Sequence, residues 1–353
     1  MALFSIPDIK ITGISTCVPQ NEFDNLKYHW ISLEERKSFI RTTGIAKRRI
    51  VKKKKTATSD LCFTATEKLL KDLKWDRKEI ELLIFVSQSR DYVLPQTACI
   101  LQDKLGLSKE CMALDMCAGC SAYPYGLSVI GGLMTSGEIK KGLLLIGDIS
   151  SANSYRDKSF YPLAGDAGTA TALEYSPGSN GMHFNLQTDG AGYNALIIPD
   201  GGFRNYASKD SFKYKKYGKG VIRHNLHVAL DGIEIFNFAL REVAPNAKKL
   251  LKYSETDIET IDYFVFHQAN KLINETVRKI LKVQPEKCPY SLDRYGNTSS
   301  ASIPLTIVTE LNKKIQKGKN KMLLSGFGVG LSWGSVIVET DKIKCPEVID
   351  YEG

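Results

Sequence analysis

The stretch Ala113-Leu-Asp-Met-Cys117-Ala-Gly-Cys120-Ser-Ala-Tyr-Pro-Tyr-Gly-Leu127 changes its pattern at Cys120. An apolar, strand-like lead runs into a bend of small residues, and a helical pattern of small and apolar residues follows. Cys120 is therefore predicted to lie at a helix N-terminus, where free N–H groups and the helix dipole favour a thiolate. Because free cysteines are often small core residues, a catalytic role for Cys120 depends on which other groups the chain supplies.

Length and composition are those of a globular protein with two packed units. The chain has 353 residues, of which 43% are hydrophobic and 25% are charged, and this length favours two units over a single core. Apolar runs such as Gly142–Ile146 are too short to cross a bilayer, and Met1–Lys10 lacks the pattern of a signal peptide. Eight cysteines without a compact spacing fit a reducing compartment. We therefore predict a cytoplasmic protein with no membrane partner.

The charge balance is basic. The net charge is +9, and Lys52 to Lys55 form a run of four lysines. Such a run is typical of a solvated surface loop, and no zinc-finger, basic-zipper or RNA-binding signature accompanies it. We therefore expect no nucleic-acid partner. A dispersed basic excess instead suits an acidic partner or a phosphate-bearing substrate, which it attracts by long-range steering.

Strand and helix patterns alternate along the chain, which favours a layered α/β architecture. Apolar spacing predicts an amphipathic helix over 59–74, capped by Thr58 or Ser59. Short continuous apolar runs predict strands that are buried on both faces. The predicted strands include Lys10–Val18, Leu82–Ser87, Gly142–Gly147, Ala167–Tyr175, Lys321–Ser325 and Trp333–Val338.

The second half of the chain repeats the pattern of the first. Glu79–Val86 has a counterpart in Glu259–Phe266, and the bend at Cys120 has one at Tyr295–Leu305. We therefore predict two homologous halves with a connection between them that is rich in Gly, Asn, Asp and Lys. The predicted boundaries are 1–176 for the first half, 177–225 for the connection with a surface excursion near Lys213–Lys219, and 226–353 for the second half.

Two side chains besides Cys120 lie at positions where a reactive role is plausible from the sequence. Cys117 and Cys120 form a CxxC pair, which raises the alternatives of a redox dithiol or half a zinc site. The other six cysteines are scattered and no second CxxC exists, so we predict no metal site. His267 directly follows the strand-like Tyr263–Phe266, and α/β proteins place ligands and catalytic groups at such strand ends. A structural histidine is the alternative at this position.

A turn-like segment and a glycine-rich segment complete the set of candidates. Asn297 lies in Arg294–Ala301, where a turn residue or a helix N-cap is the alternative. The segment Ser325–Gly334 has alternating glycines, which permit close backbone approach. A loop of this kind can direct N–H groups at a developing oxyanion, and a tight β-turn is its alternative.

Cys120, His267, Asn297 and the glycine loop, in this order, resemble the ketosynthases of the thiolase fold, and among these ketoacyl-acyl-carrier-protein synthase III. The resemblance implies an α/β fold of five layers, α/β/α/β/α, made of two duplicated halves. It covers nearly the whole chain, through Thr43–Ile45, the Cys120 bend, Gly165–Gly168, His267–Asn270, Gly296–Ser299 and Phe327–Ser335.

Residue types separate the branches of this family. Thiolases that resemble this chain have a second catalytic cysteine in the C-terminal glycine loop, whereas Cys288 and Cys345 lie outside that loop. Elongating ketosynthases use two histidines, whereas Asn297 occupies the second position here. Synthase III enzymes and chalcone-synthase-like polyketide synthases share Cys-His-Asn. The sequence motifs around His267 and Asn297 favour synthase III, whereas the segment Gly326–Gly330 is more similar to the chalcone-synthase-like branch.

The resemblance implies that Cys120, activated by its helix terminus and by His267, attacks an acyl thioester. His267 and Asn297 would then stabilise the enolate formed when a malonyl thioester loses carbon dioxide. CoA or carrier thioesters are the implied substrates, and no cofactor is implied. The loop residues implied in the oxyanion site, together with the Cys120 N–H, are Phe327, Gly328, Val329 and Gly330.

Partners and the acyl group follow from departures from the family pattern. The segment before Thr43 lacks the Trp that often stacks on CoA, and Leu94 stands where an aromatic residue often limits the acyl pocket. These departures favour a carrier-bound or longer acyl donor over acetyl-CoA. The family also implies a homodimer, with residues 87–105 near the partner. The candidate docking charges for an acidic acyl carrier protein are Lys271, Arg278 and Lys279.

Two rival functions stay open on the sequence alone. An acyltransferase on the same fold, which delivers the acyl group to an alcohol or amine, would have the same three residues. A non-catalytic chain-length subunit typically lacks the cysteine, so Cys120 argues against it.

Overall fold

A computed structural model describes residues 2–52, 55–153 and 156–353, so that Lys53 and Lys54 of the lysine run lie outside the described residues. The strands are β1 (Ala2–Ile6), β2 (Ile9–Pro19), β3 (Glu22–Asp24), β4 (Lys47–Arg49), β5 (Leu82–Val86), β6 (Met112–Met116), β7 (Lys141–Ile149), β8 (Asp166–Tyr175), β9 (Met182–Thr188), β10 (Leu196–Ile197), β11 (Lys215–Gly218), β12 (Val221–Arg223), β13 (Ala229–Leu230), β14 (Tyr263–Phe266), β15 (Lys319–Gly328), β16 (Ser332–Asp341) and β17 (Ile349–Tyr351). The helices are α1 (Leu33–Thr43), α2 (Thr58–Leu73), α3 (Thr97–Lys104), α4 (Ala122–Met134), α5 (Gly232–Tyr253), α6 (Lys271–Leu281), α7 (Leu292–Tyr295), α8 (Ser302–Thr306) and α9 (Asn312–Ile315), and a π-helical turn (Ile307–Leu311) joins α8 to α9.

Two sheets form the frame of the molecule. The order in the first is β17-β2-β8-β7-β5-β6, with β5 parallel to both β6 and β7. The order in the second is β1-β9-β16-β15-β14, with β14 parallel to β15. The parallel strands in each sheet direct their carboxyl ends to one edge, where α/β proteins form ligand sites.

Helices cover both sheets and fill the space between them. In β5, Ile84 faces an inner core shared with α4 and α8, whereas Leu83 and Phe85 face an outer core shared with α2 and α3. This alternation explains the continuous apolar run, because both faces of the strand are buried. Helices α5 and α6 cover the outer face of the second sheet. The layers therefore run α/β/α/β/α, which confirms the fold predicted from the sequence.

The strands do not stay within the predicted halves. Strand β9 falls in the predicted connection, 177–225, yet it pairs with β16 in the second sheet. Strand β1 pairs with β9, and β17 from the end of the chain pairs with β2 in the first sheet. The surface excursion is a hairpin of β11 and β12. The glycine- and asparagine-rich flanks of β9 concealed its seven residues in the sequence.

The start of α2 also differs from the prediction. Its N-cap is Ala57, and Asp60 Oδ2 accepts the Ala57 N–H at 2.9 Å. The hydroxyls of Thr58 and Ser59 instead bond to Ser89 and Asp91, both at 2.7 Å. These two hydroxyls therefore do not cap the helix, and they hold the loop after β5 instead. Among the described residues, no helix combines the length and apolarity needed to span a bilayer.

Candidate active site

A cavity of about 760 Å³ opens at the carboxyl ends of the parallel strands. Cys120, His267, Asn297 and all four residues of the Phe327–Gly330 loop line it. Both halves of the chain contribute to its floor, since Cys120 follows β6 and His267 follows β14. The structure therefore brings together the groups that the sequence singled out.

Cys120 lies in the tight turn between β6 and α4. The Ala122 N–H donates to Gly119 O at 2.8 Å and begins the helix. A Cβ at Gly119 would come within 2.4 Å of Gln88 Oε1 and 2.6 Å of Val329 Cγ1, so any larger residue in this turn would displace those two side chains. All eight cysteines are free, Cys117 included, and among the described residues no three metal-binding side chains cluster.

Burial dominates the chemistry of the Cys120 thiol. It raises the pKa of Cys120 to about 11, although the backbone N–H groups of Val329 and Cys120 oppose the rise. The helix terminus therefore does not produce a resting thiolate, as expected when desolvation exceeds the dipole effect. The side-chain neighbour of Sγ is Ser299 Oγ at 4.0 Å. Within the described part of the chain, no hydrogen bond joins Sγ to His267.

The glycine loop approaches Cys120 from the other half of the chain. A Cβ at Gly328 would lie 2.9 Å from Cys120 Sγ, and this residue has φ of +156°. Ser332 Oγ donates to Val329 O at 2.8 Å and contacts Ser121 Oγ at 2.6 Å, which fixes the loop against the start of α4. This arrangement brings the Val329 N–H to the thiol.

His267 is held at the end of β14 by both its backbone and its ring. Its N–H donates to Ser325 O at 2.8 Å, and its Nδ1 lies 2.7 Å from Ser302 Oγ. The Phe327 ring meets the imidazole edge-on, with centroids 5.5 Å apart. Burial lowers the pKa of His267 to about 3, although a hydrogen bond with the Ser299 backbone acts to raise it. The ring is therefore neutral at pH 7.

Asn297 is held by pairing with the segment that precedes β8. Its N–H donates to Leu163 O at 2.8 Å, and its carbonyl accepts the Gly165 N–H at 2.9 Å. Its Oδ1 accepts the Ser299 N–H at 2.9 Å. Because Oδ1 is occupied, the NH2 group of Asn297 is the part available to a ligand. Its Nδ2 makes a long contact of 3.5 Å with Ala269 O.

Other residues at the site were missed by the sequence interpretation. Ser302 contacts the His267 ring, Ser299 contacts the thiol, and Asp148 lines the cavity. Asp148 lies at the end of the predicted apolar strand Gly142–Gly147, so the strand-end argument that selected His267 also applied to it. Nothing local in the sequence indicated the two serines, because their contacts join distant parts of the chain.

The remaining predicted site residues lie away from this floor. Leu94 is 79% exposed and does not line the cavity of the single chain. On α6, Lys271 and Lys279 are exposed, whereas Arg278 pairs with Glu275 at 2.8 Å and donates to Val283 O at 2.6 Å. Glu275 raises the pKa of Arg278. The structure thus gives Arg278 internal partners.

Comparisons with known proteins agree with this geometry. Residues 114–190 match the family model for 3-oxoacyl-[acyl-carrier-protein] synthase III, and residues 251–340 match the model for its C-terminal region. The beta-ketoacyl-[acyl-carrier-protein] synthase III of Syntrophomonas wolfei is 33% identical over 94% of this chain and 97% of its own length. The relative of the same name from Clostridioides difficile is 34% identical over 93% and 97%.

Solved structures give the same assignment. The crystal structure of a 3-oxoacyl-(acyl-carrier protein) synthase from Burkholderia xenovorans LB400 superimposes with a TM-score of 0.92 at 36% identity, covering 99% of both chains. The order of Cys120, His267, Asn297 and the glycine loop along the sequence suggested this relationship, and the shared cavity is consistent with it. The chain therefore belongs to the beta-ketoacyl-[acyl-carrier-protein] synthase III family of thiolase-fold condensing enzymes.

Proposed function

We propose that this ketosynthase, a transferase by its family, moves an acyl group from a thioester to Cys120 and then condenses it with a malonyl thioester. The product is a 3-ketoacyl thioester, and the activity is that of an acyltransferase of the 3-oxoacyl-carrier synthase type. The observation that supports this most is the shared cavity lined by Cys120, His267, Asn297 and the Phe327–Gly330 loop.

In the first step, Cys120 Sγ attacks the carbonyl carbon of the donor thioester. The new C–S bond forms, the donor C–S bond breaks, and the thiol proton leaves with the departing thiolate. With a thiol pKa of about 11, only about one molecule in 10⁴ is a thiolate at pH 7. Proton loss therefore accompanies attack, and the N–H groups of Val329 and Cys120 stabilise the oxyanion.

In the second step, the malonyl carboxylate leaves as carbon dioxide and its electron pair passes into the thioester enolate. Ser302 Oγ accepts the Gln268 N–H at 3.3 Å, so its own proton can donate to His267 Nδ1. This places the imidazole proton on Nε2, from which neutral His267 donates to the enolate oxygen together with Asn297 Nδ2. The enolate carbon then attacks the acyl-Cys120 carbonyl, the C–S bond to Cys120 breaks, and the released Cys120 thiolate takes up a proton from water.

The substrates follow from the shape and charge of the site. The cavity volume lies within the range of small-molecule sites, and apolar residues extend it beyond the catalytic floor. These residues are Leu196, Ile197, Val228, Leu230 and Ile235. They support an acyl chain longer than acetyl. No metal or organic cofactor takes part in the proposed steps, since thioester chemistry needs none.

We assign acyl carrier protein and acyl-CoA as the thioester partners, with Lys271 and Lys279 as the carrier contacts.

A second copy of the chain is the proposed subunit partner. Tyr92, Val93 and Leu94 are consecutive, apolar and more than 60% exposed, and a patch of this kind favours an interface. Sedimentation of the wild type against Leu94→Asp tests this, and a monomeric wild type contradicts it.

Intact-mass measurement tests the core of the proposal. The protein is incubated with a panel of acyl-CoA and acyl-carrier donors, and we expect a mass increase equal to the acyl group in the wild type and none in Cys120→Ala. Cys117→Ala is the matched control, since it lines the same cavity and should still be acylated. Labelled malonyl carrier protein should then release carbon dioxide. An acylated enzyme that releases none with any primer contradicts condensation.

A further inference from the structure

Asp148 is a buried carboxylate in the cavity wall to which the proposed chemistry assigns no role. It lies in β7, is 2% exposed, and lines the same cavity as Cys120. The other titratable side chains described along this wall, besides Cys120, are Cys117, Lys158, Tyr193 and His267. Lys158 pairs with Glu35 at 3.2 Å and His267 is neutral, so neither of these two side chains neutralises the Asp148 carboxylate.

The Asp148 carboxylate accepts hydrogen bonds from two separate loops. Its Oδ1 accepts the Gln88 N–H at 2.8 Å and the hydroxyls of Ser87 and Ser89 at 3.1 and 3.3 Å. Its Oδ2 accepts the Ser300 N–H at 3.3 Å. The carboxylate therefore links the turn after β5 to the segment that follows Asn297.

Each of these loops contacts the Cys120 site. The Gln88 side chain packs where a Cβ on Gly119 would lie, immediately before Cys120. Ser299, the neighbour of Ser300, contacts Sγ at 4.0 Å and donates its N–H to Asn297 Oδ1. Moving either loop would thus displace a wall of the thiol or the amide proposed to bind the enolate.

We propose that Asp148 is a positioning residue of this site: its carboxylate fixes the two loops around Cys120, and its negative charge disfavours a second anion at Sγ. The inference rests on the proposed role of Cys120. The pKa of Cys120 is raised in the direction that this charge effect requires. Burial is the largest cause of the rise, and the negative charge of Asp148 adds to it. Like charges in a buried site oppose each other's ionisation.

Asp148→Asn separates these two effects. Removing the charge should shift the pH midpoint of Cys120 alkylation by iodoacetamide downward by about one pH unit, which makes alkylation at pH 8 about tenfold faster. The same variant should lower kcat for condensation, because an amide has one acceptor oxygen where the carboxylate has two and cannot accept the hydrogen bonds of both loops. Opening of the fold would also expose the thiol and slow turnover, so mass mapping of the buried cysteines accompanies this measurement.

Asp166→Asn is the matched control. Asp166 is also a fully buried carboxylate, with hydrogen bonds from Val51 and Ser151, but it does not line the cavity. We expect its alkylation midpoint to equal that of the wild type. Mass mapping of buried Cys62 and Cys345, which should stay unmodified, detects any general opening of the fold. An unchanged midpoint in Asp148→Asn, or an equal shift in Asp166→Asn, overturns the proposal.

Ser87→Ala provides a second variant if Asp148→Asn does not fold. It keeps the carboxylate and removes one hydroxyl donor, so the negative charge is less well compensated. Alkylation at pH 8 should then be about twofold slower than in the wild type. An equal or faster rate overturns the charge effect. Because alkylation needs no acyl donor, these results stand even if condensation by the wild type is not found.

Discussion

The floor of the cavity and helix α6 beside it handle charge in opposite ways. On the floor, burial raises the pKa of Cys120 to about 11 and lowers that of His267 to about 3, so both are neutral at pH 7. On α6, Lys271 and Lys279 are exposed, and Arg278 pairs with Glu275. The thiol and the imidazole are neutral and the Asp148 carboxylate beside them is held by hydrogen bonds, whereas the two lysines of the helix are solvated ions.

This difference separates the chemistry from the docking. A desolvated site with fixed hydrogen-bond donors acts most strongly on charge that develops during reaction, since its dipoles are already oriented. Solvated charges contribute little to binding free energy, and they act mainly on the rate of encounter. Substitutions on the floor should therefore change turnover strongly, while substitutions on α6 should change kcat/KM weakly and in a salt-dependent manner.

Gly328→Ala should have the largest effect. The added Cβ would lie 2.7 Å from Cys120 Cβ and 2.9 Å from Sγ, at a φ of +156° that disfavours side chains. It also displaces the Val329 N–H, and losing one oxyanion donor costs about 10²–10³ in rate. We expect acylation to slow by about 10³. Gly132→Ala is the control, because a Cβ there meets nothing within 4 Å. Wild-type acylation in Gly328→Ala contradicts the loop assignment.

His267→Ala and Asn297→Ala should leave acylation largely intact and slow carbon dioxide release by about 10². Each removes one donor proposed for the enolate, and neither contacts Sγ through a described hydrogen bond. Stopped mass measurements of the acyl-enzyme and labelled malonyl release separate the two steps. His183, which bonds to Ser5 and does not line the cavity, supplies the control variant His183→Ala. If both steps fell equally, His267 would act on the thiol instead.

Ser302→Ala should slow condensation by about tenfold, the value of one hydrogen bond that orients a ring. This variant removes the hydroxyl whose Oγ lies 2.7 Å from His267 Nδ1, whereas Ser302→Thr keeps a hydroxyl and should retain most of the rate.

The pH profile of the wild type gives an independent check on His267. A histidine with a lowered pKa of about 3 stays neutral above that pH, so activity should show no inflection near 6.5. Such an inflection would contradict a buried, neutral His267.

The parts of this comparison that the sequence predicts are those with local patterns. Apolar runs located the buried strands, and the strand-end rule located His267. Asp148 follows the same rule, yet a lone carboxylate after a strand has no distinctive chemistry in the sequence. The contact of Ser302 with His267 joins residues 35 positions apart, and only the packed fold specifies it. The raised pKa of Cys120 likewise depends on burial, which the helix-terminus pattern does not report.

The charges on α6 should give the smallest effects. Lys271→Glu and Lys279→Glu should each lower kcat/KM for an acyl carrier donor by about threefold at low salt, and the loss should disappear near 0.5 M salt. An acyl-pantetheine thioester without a carrier is the control donor, and its rate should not change. Arg278→Gln is the matched variant, because Glu275 and Val283 already occupy that guanidinium. If Arg278→Gln alone weakened the carrier reaction, the docking charge would be the paired one, and the distinction between solvated and paired ions on this helix would fail.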